Sequence, residues 1–312
     1  MWMLLTIFII VVILIIVALV YLITYAVLMN PNNEIEEEPT EHFQNLFLPI
    51  DSIDGVAYTK DKRPHQFCIN VWYFDKFAES KELQNNTHKT MLFFHGNSFN
   101  ISKYRYIINV CKEQKLNLLL VDYRGYGMSG GMPSLKGICT DGCTAYNFLK
   151  TKCDPKNIIV WGESLGGVPA TYVASKYECK NLVLLGAFSS LGDLIVNQKE
   201  CSWATRSMGK LLPYIMNNLP NKEWICKVKA PILIVHSEED DLVPYECAKI
   251  NHSNITCSKK KLLTIKGGHK TPDMNLQDLQ AIFKFIGLDK QQCTNAMLQD
   301  LIKNIHCITS TI

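Results

Sequence analysis

The string Gly162-Glu163-Ser164-Leu165-Gly166-Gly167 frames a serine between glycines, the spacing that lifts a hydroxyl nucleophile onto a tight turn. Side chains at Gly162 and Gly166 would collide with neighbouring strand and helix, and Gly167 lets the following helix lie close to the sheet. At the N-terminus of that helix, Ser164 has free N–H groups and a favourable dipole for a developing oxyanion. Two further groups complete a nucleophile's needs. His236-Ser237-Glu238-Glu239-Asp240-Asp241 offers a carboxylate, and Lys266-Gly267-Gly268-His269 offers an imidazole. In that reading His269 takes the Ser164 proton and returns it to the leaving group, while Asp240 holds the imidazole tautomer and steadies the imidazolium. Glu238, Glu239 and Asp241 compete for the acid's place, and an acidic run is commonly a solvated turn. An anionic intermediate also needs backbone donors. Leu165 supplies one, and Asn97 in Phe93-Phe94-His95-Gly96-Asn97 the other, with Ser98 as its alternative.

Such groups must be carried on a scaffold. Short β-rich runs at 67–74, 91–95, 116–122, 157–162, 182–188, 232–237 and 261–265 alternate with helical stretches at 100–114, 136–151, 165–177, 244–254 and 275–287. Continuous apolar blocks such as LNLLLVD and PILIVHS suit strands covered on both faces, so an α/β fold with a mostly parallel sheet is expected. In open sheets of this kind chemistry collects after the carboxyl ends of strands, where Ser164, Asp240 and His269 all fall.

The motifs FFHGNS at 93–98, LNLLLVDYRGYGMSGG at 116–131, WGESLGG at 161–167, HSEEDDLVP at 236–244 and GGH at 267–269 resemble the α/β-hydrolase superfamily. The likeness, over about 66–288, is to its single-pass membrane-anchored members near the serine-aminopeptidase-like branch. It implies the α/β-hydrolase fold with a short helical lid at about 189–229, and nucleophile, acid and base at Ser164, Asp240 and His269. It makes Asp122 and Arg124 scaffold rather than chemistry, and has Gly more often where this chain has Ser237. No cofactor or metal is implied. The region 189–229 carries Trp203, Met208, Leu211, Leu212, Tyr214, Ile215, Met216 and Trp224. It reads equally as a lid with an apolar inner face and as an ordinary helix packed on the sheet. Glu163 reads as a solvated neighbour of the nucleophile, and His95 and His236 as packing or hydrogen-bonding residues.

With 32 basic against 29 acidic residues among 312, and no Lys/Arg cluster interleaved with aromatics, a nucleic-acid partner has no electrostatic footprint. Twelve cysteines without a CxxC pair or a Cys/His quartet give neither a disulfide framework nor a zinc site; Cys139 and Cys143 read as small residues on one helix face. Residues 1–29 hold no charge, and 4–28 are nearly continuous Leu, Ile, Val and Phe. That run spans about 37 Å as a helix, enough to cross the bilayer once, and lacks the basic start and small-residue cleavage site of a secretory signal. An uncleaved signal-anchor at 1–29 is expected, then a linker and lead-in at 30–65, the hydrolase domain at 66–288 and a helical tail at 289–312. Sequons at Asn85, Asn100, Asn251 and Asn254 are not far above what composition supplies by chance. The expected activity is cleavage of an ester, thioester or amide of a lipid-like or acylated substrate. A serine-aminopeptidase-like peptidase and a catalytically silent, membrane-bound interaction module are the alternatives.

Overall fold

The computed structural model describes residues 2, 5–8, 11, 29–35, 43–50, 54–59, 67–75, 88–200, 202, 203, 205–207, 209, 210 and 219–288. A central sheet is built from β1 (Gln44–Pro49), β2 (Cys68–Phe74), β3 (Thr90–Phe94), β4 (Asn117–Val121), β5 (Ile158–Glu163), β6 (Asn181–Leu185), β7 (Ile232–Ser237) and β8 (Lys260–Gly267). Their spatial order is β1-β2-β4-β3-β5-β6-β7-β8, closed at one edge by the two-residue strand Pro272–Asp273. From β4 to β8 every neighbour is parallel, while β1 on β2, β2 on β4, and Pro272–Asp273 on β8 are antiparallel. The parallel strands are Leu-, Ile- and Val-rich because both their faces are covered. β4, NLLLV, is buried at every position.

Helices α1 (Arg105–Glu113), α2 (Gly137–Leu149), α3 (Gly167–Lys176), α4 (Leu191–Val196), α5 (Asn221–Trp224), α6 (Tyr245–Asn254) and α7 (Leu276–Phe285) make the connections. They form two outer layers. Residues of α2, α3 and α6 join one core with Val160, Leu182 and Ile234 of the sheet. Ile107 and Val110 of α1 and Leu279 and Phe283 of α7 join the other with Trp161, Val183 and Val235. Alternation along a strand sends neighbours to opposite faces, so Ile159, Trp161 and Glu163 all point toward α1 and α7. A capping box at Asn275 and Asp278 starts α7.

The expected strands and helices form within a few residues of their predicted limits, and β1 is an addition. It lies inside the stretch read as linker and lead-in, so the sheet starts at Gln44. Its six residues end in proline at a sheet edge, where a missing N–H costs nothing. Among the described residues no helix is long and apolar enough to cross a membrane. The predicted span 4–28 lies largely outside the described residues; of it, 5–8 and 11 are helical. The tail 289–312 and sequon Asn85 also lie outside them. Of the other sequons, Asn100 and Asn251 are buried and Asn254 is exposed.

Candidate active site

Ser164 follows β5 and has φ 50°, the left-handed backbone of a sharp strand-to-helix turn. The turn closes only because its neighbours lack side chains. A Cβ on Gly166 would lie 2.1 Å from the Phe94 carbonyl oxygen, one on Gly162 2.4 Å from the Gly166 carbonyl oxygen, and one on Gly167 2.4 Å from Ala187 Cβ. His269 comes from the loop after β8 and Asp240 from the loop after β7. The structure brings the three together. Ser164 Oγ lies 2.9 Å from His269 Nε2, and His269 Nδ1 lies 2.7 Å from Asp240 Oδ2.

Asp240 is almost fully buried. Its Oδ1 accepts from Leu242 N (3.0 Å) and Val243 N (2.6 Å), and His236 Nε2 stands 3.3 Å from Oδ2. Burial alone would raise its pKa. The hydrogen bonds from His236, His269 and Val243, with the nearby His269 charge, outweigh burial and hold the carboxyl well below the usual carboxylate range. It stays an anion facing the imidazole. The neighbouring acids lie on an exposed turn, and two of them also hold backbone: Asp241 Oδ1 accepts from His269 N (2.9 Å) and Glu239 Oε2 from Gly267 N (3.0 Å). Both pin the loop that carries His269. Ser237 Oγ donates to the Gly267 carbonyl, tying the same loop to β7. Gly186, at φ 58° after β6, leaves room for the imidazole, whose Cε1 would stand 3.2 Å from a Cβ there.

The loop after β3 meets Ser164 from the other side, with a Cβ on Gly96 3.7 Å from Ser164 Cβ. Tyrosines fix its course. Tyr123 donates to the His95 carbonyl (2.7 Å), Tyr126 to the Asn97 carbonyl (3.1 Å), and Gly96 N donates to Tyr104 Oη (3.1 Å). Asn97 thereby lines the cavity beside Ser164, and Leu165 follows the nucleophile at the start of the helical turn. Buried His95 donates from Nδ1 to the Gly96 carbonyl (2.7 Å). Asp122 accepts from Ile101 N, and Arg124 is bound to Asp141 of α2 (2.7 Å), so the 122–127 segment is scaffold here.

From Ser164 a cavity of about 200 Å³ runs between the sheet and helices α1 and α7, walled by Met91, Ile107, Trp161, Val235, Ile282 and Phe283. No described residue of 189–229 lines it. Within that stretch Trp224 packs edge-on against Tyr172 of α3, at 4.9 Å between ring centres. Met208, Leu211, Leu212, Tyr214, Ile215 and Met216 lie outside the described residues. Glu163 is not the solvated neighbour expected. It lines the cavity and accepts a 2.6 Å hydrogen bond from Tyr106. Burial pushes its carboxyl up from an ordinary 4.5 to about 7, against the lowering pull of Tyr106 and His269. Only its odd-numbered place on β5 hinted at this, and Tyr106 carried no signal in the sequence.

The arrangement can deprotonate a serine hydroxyl onto an imidazole beside a buried carboxylate, with backbone amides close by. Residues 85–227, just under half the chain, match the family described as serine aminopeptidase, S33. Mouse alpha/beta hydrolase domain-containing protein 17C is 28% identical over 200 residues, covering 63% of this chain and 59% of the relative. Human protein 17B is 26% identical over 204 residues, covering 64% and 67%. The chain thus spans less than two thirds of the length of the 17C relatives it matches. The Pyrococcus furiosus esterase Pf2001 superposes with a TM-score of 0.56 at 16% identity, covering 88% of this chain and 97% of the esterase. The chain has the α/β-hydrolase fold.

Proposed function

We propose that this chain is a membrane-anchored serine hydrolase that cleaves an acyl ester, thioester or amide through an acyl-enzyme intermediate. The observation that carries the reading is the unbroken relay from Ser164 Oγ through His269 to Asp240, at 2.9 and 2.7 Å. As Ser164 Oγ attacks the substrate carbonyl, its proton passes to His269 Nε2 and the imidazolium is held by anionic Asp240. The N–H groups of Asn97 and Leu165 take the negative charge that grows on the carbonyl oxygen. Collapse releases the alcohol, thiol or amine, which leaves with the proton from His269. Water, deprotonated by His269, then frees the acid and restores Ser164. The apolar walls of the cavity favour a lipid-like or acylated substrate. A single-pass anchor at 4–28 rests on its uncharged sequence. Exposed Trp2, Leu5, Ile7, Phe8 and Val11 on helical backbone support it.

One observation favours the peptidase alternative: Glu163 places a carboxyl in the cavity, where a substrate amine would find it. A fluorophosphonate probe, followed by turnover of an acyl ester and an aminoacyl amide, tests the proposal. Native chain takes the label, Ser164→Ala takes none, and His269→Ala and Asp240→Asn react about 10²- to 10⁴-fold more slowly. Preference for the aminoacyl amide, lost in Glu163→Gln, selects the peptidase. A folded native chain that takes no label contradicts the hydrolase and leaves the interaction module.

A further inference from the structure

The chain straight after the apolar run is fastened to the loop that forms the cavity mouth. Met29 is buried, and Asn30–Pro31 pairs in parallel with Ser98–Phe99. The side-chain amide of buried Asn100 donates to the carbonyls of Asn32 (3.0 Å) and Glu34 (2.8 Å), while its oxygen accepts from Ser102 N. Gly127 N donates to the same Asn32 carbonyl (3.0 Å). Residues 29–34 thus form a strap laid across the two loops that follow β3 and β4. Ser98 and Phe99, its partners, line the cavity beside Asn97.

We infer that this strap holds the cavity mouth against the bilayer, so that the acyl chain of a membrane-resident substrate enters from the lipid side. The inference rests on the anchored-hydrolase reading above. Contact with the body begins within two residues of Leu28, no more than about 7 Å of chain, so the mouth cannot stand away from the end of the span. The surface around it suits the partner. Phe67, Met132 and Leu242 are large apolar residues left exposed, at 68, 82 and 47%. Met132 belongs to the loop that Gly127 ties to the strap, Phe67 packs over Gly130 and Gly131 of that loop, and Leu242 lines the cavity with Lys103 and Lys270. Lysines over apolar side chains are what a surface entering lipid headgroups presents.

The test uses the full chain in phosphatidylcholine vesicles with two probes, a water-soluble butyrate ester and a palmitate ester dissolved in the same vesicles. A flexible Gly/Ser insert of about twenty residues between Leu28 and Met29 lets the body move roughly 25 Å from the surface and leaves the strap and the site intact. The expected result is an unchanged rate on the butyrate ester and a fall of about tenfold or more on the palmitate ester, because the effective concentration of the mouth at the bilayer drops. Equal rates for native and insert chains on both esters overturn the inference. Should the insert chain lose butyrate turnover through misfolding, Phe67→Glu with Met132→Glu, both on exposed side chains, takes its place with the same pair of outcomes. A native chain that turns over neither ester contradicts the hydrolase reading, and this inference with it; butyrate turnover indifferent to the insert alongside undiminished palmitate turnover contradicts this inference alone.

Discussion

Glu163 sits one residue before the proposed nucleophile, and its carboxyl is held between Tyr106 and the cavity with a pKa near 7. A raised carboxyl pKa means that between about pH 4.5 and 7 the folded chain keeps a proton the unfolded chain has released. Stability from this group is therefore whole below that window and lost as pH rises through it, by up to about 3 kcal/mol. Urea unfolding at pH 5 and pH 7.5 should show the native chain weakening more across this range than Glu163→Gln, which carries no titrating proton there. Parallel losses in the two proteins would show that the carboxyl is not confined as described. Asp240 behaves in the opposite sense, its anion sustained by four donors. The sequence named Ser164, His269 and Asp240 because their types and order are rare together. Residue type alone does not separate Asp240 from Glu238, Glu239 and Asp241, and it is the resemblance that puts the acid at Asp240. Only the folded loops show two of them bound to the backbone around His269.

At the scale of elements, the turn from β5 to α3 is where function and stability pull apart. A non-glycine residue at φ 50° costs about 1–2 kcal/mol relative to glycine. Both Ser164→Ala and Ser164→Gly remove the hydroxyl, so the strain separates them: Ser164→Gly should unfold at the higher temperature, by about 1 kcal/mol in stability. If Ser164→Ala is equally stable, the turn is unstrained. The parallel strands were legible because residues buried on both faces form unbroken apolar runs, and the helices between them followed. β1 was not, since QNLFLP is short and ends in a proline. The stretch 189–229 reads equally as a lid and as a helix packed on the sheet; none of its described residues walls the cavity, and its Trp224 packs on Tyr172 of α3. Composition records that a stretch is apolar, and not which surface it covers.

Across the whole molecule, three strand ends deliver the Ser, Asp and His to one edge of the sheet, and the chain after the apolar run is laid over that same edge. Chain order revealed the first arrangement. The second was hidden, because Asn30–Pro31 carries no pattern that announces a partner nearly seventy residues on. An acyl-enzyme on Ser164 is the intermediate on which the proposed chemistry turns, and it can be trapped. Native chain is mixed with an activated short-chain ester, quenched in acid within the burst, digested and read by tandem mass spectrometry. An acyl group is expected on Ser164 in the native chain, accumulating in His269→Ala only after far longer mixing and never in Ser164→Ala. Ester turnover by a native chain with acyl groups elsewhere, or with none on Ser164 at any mixing time, would contradict it.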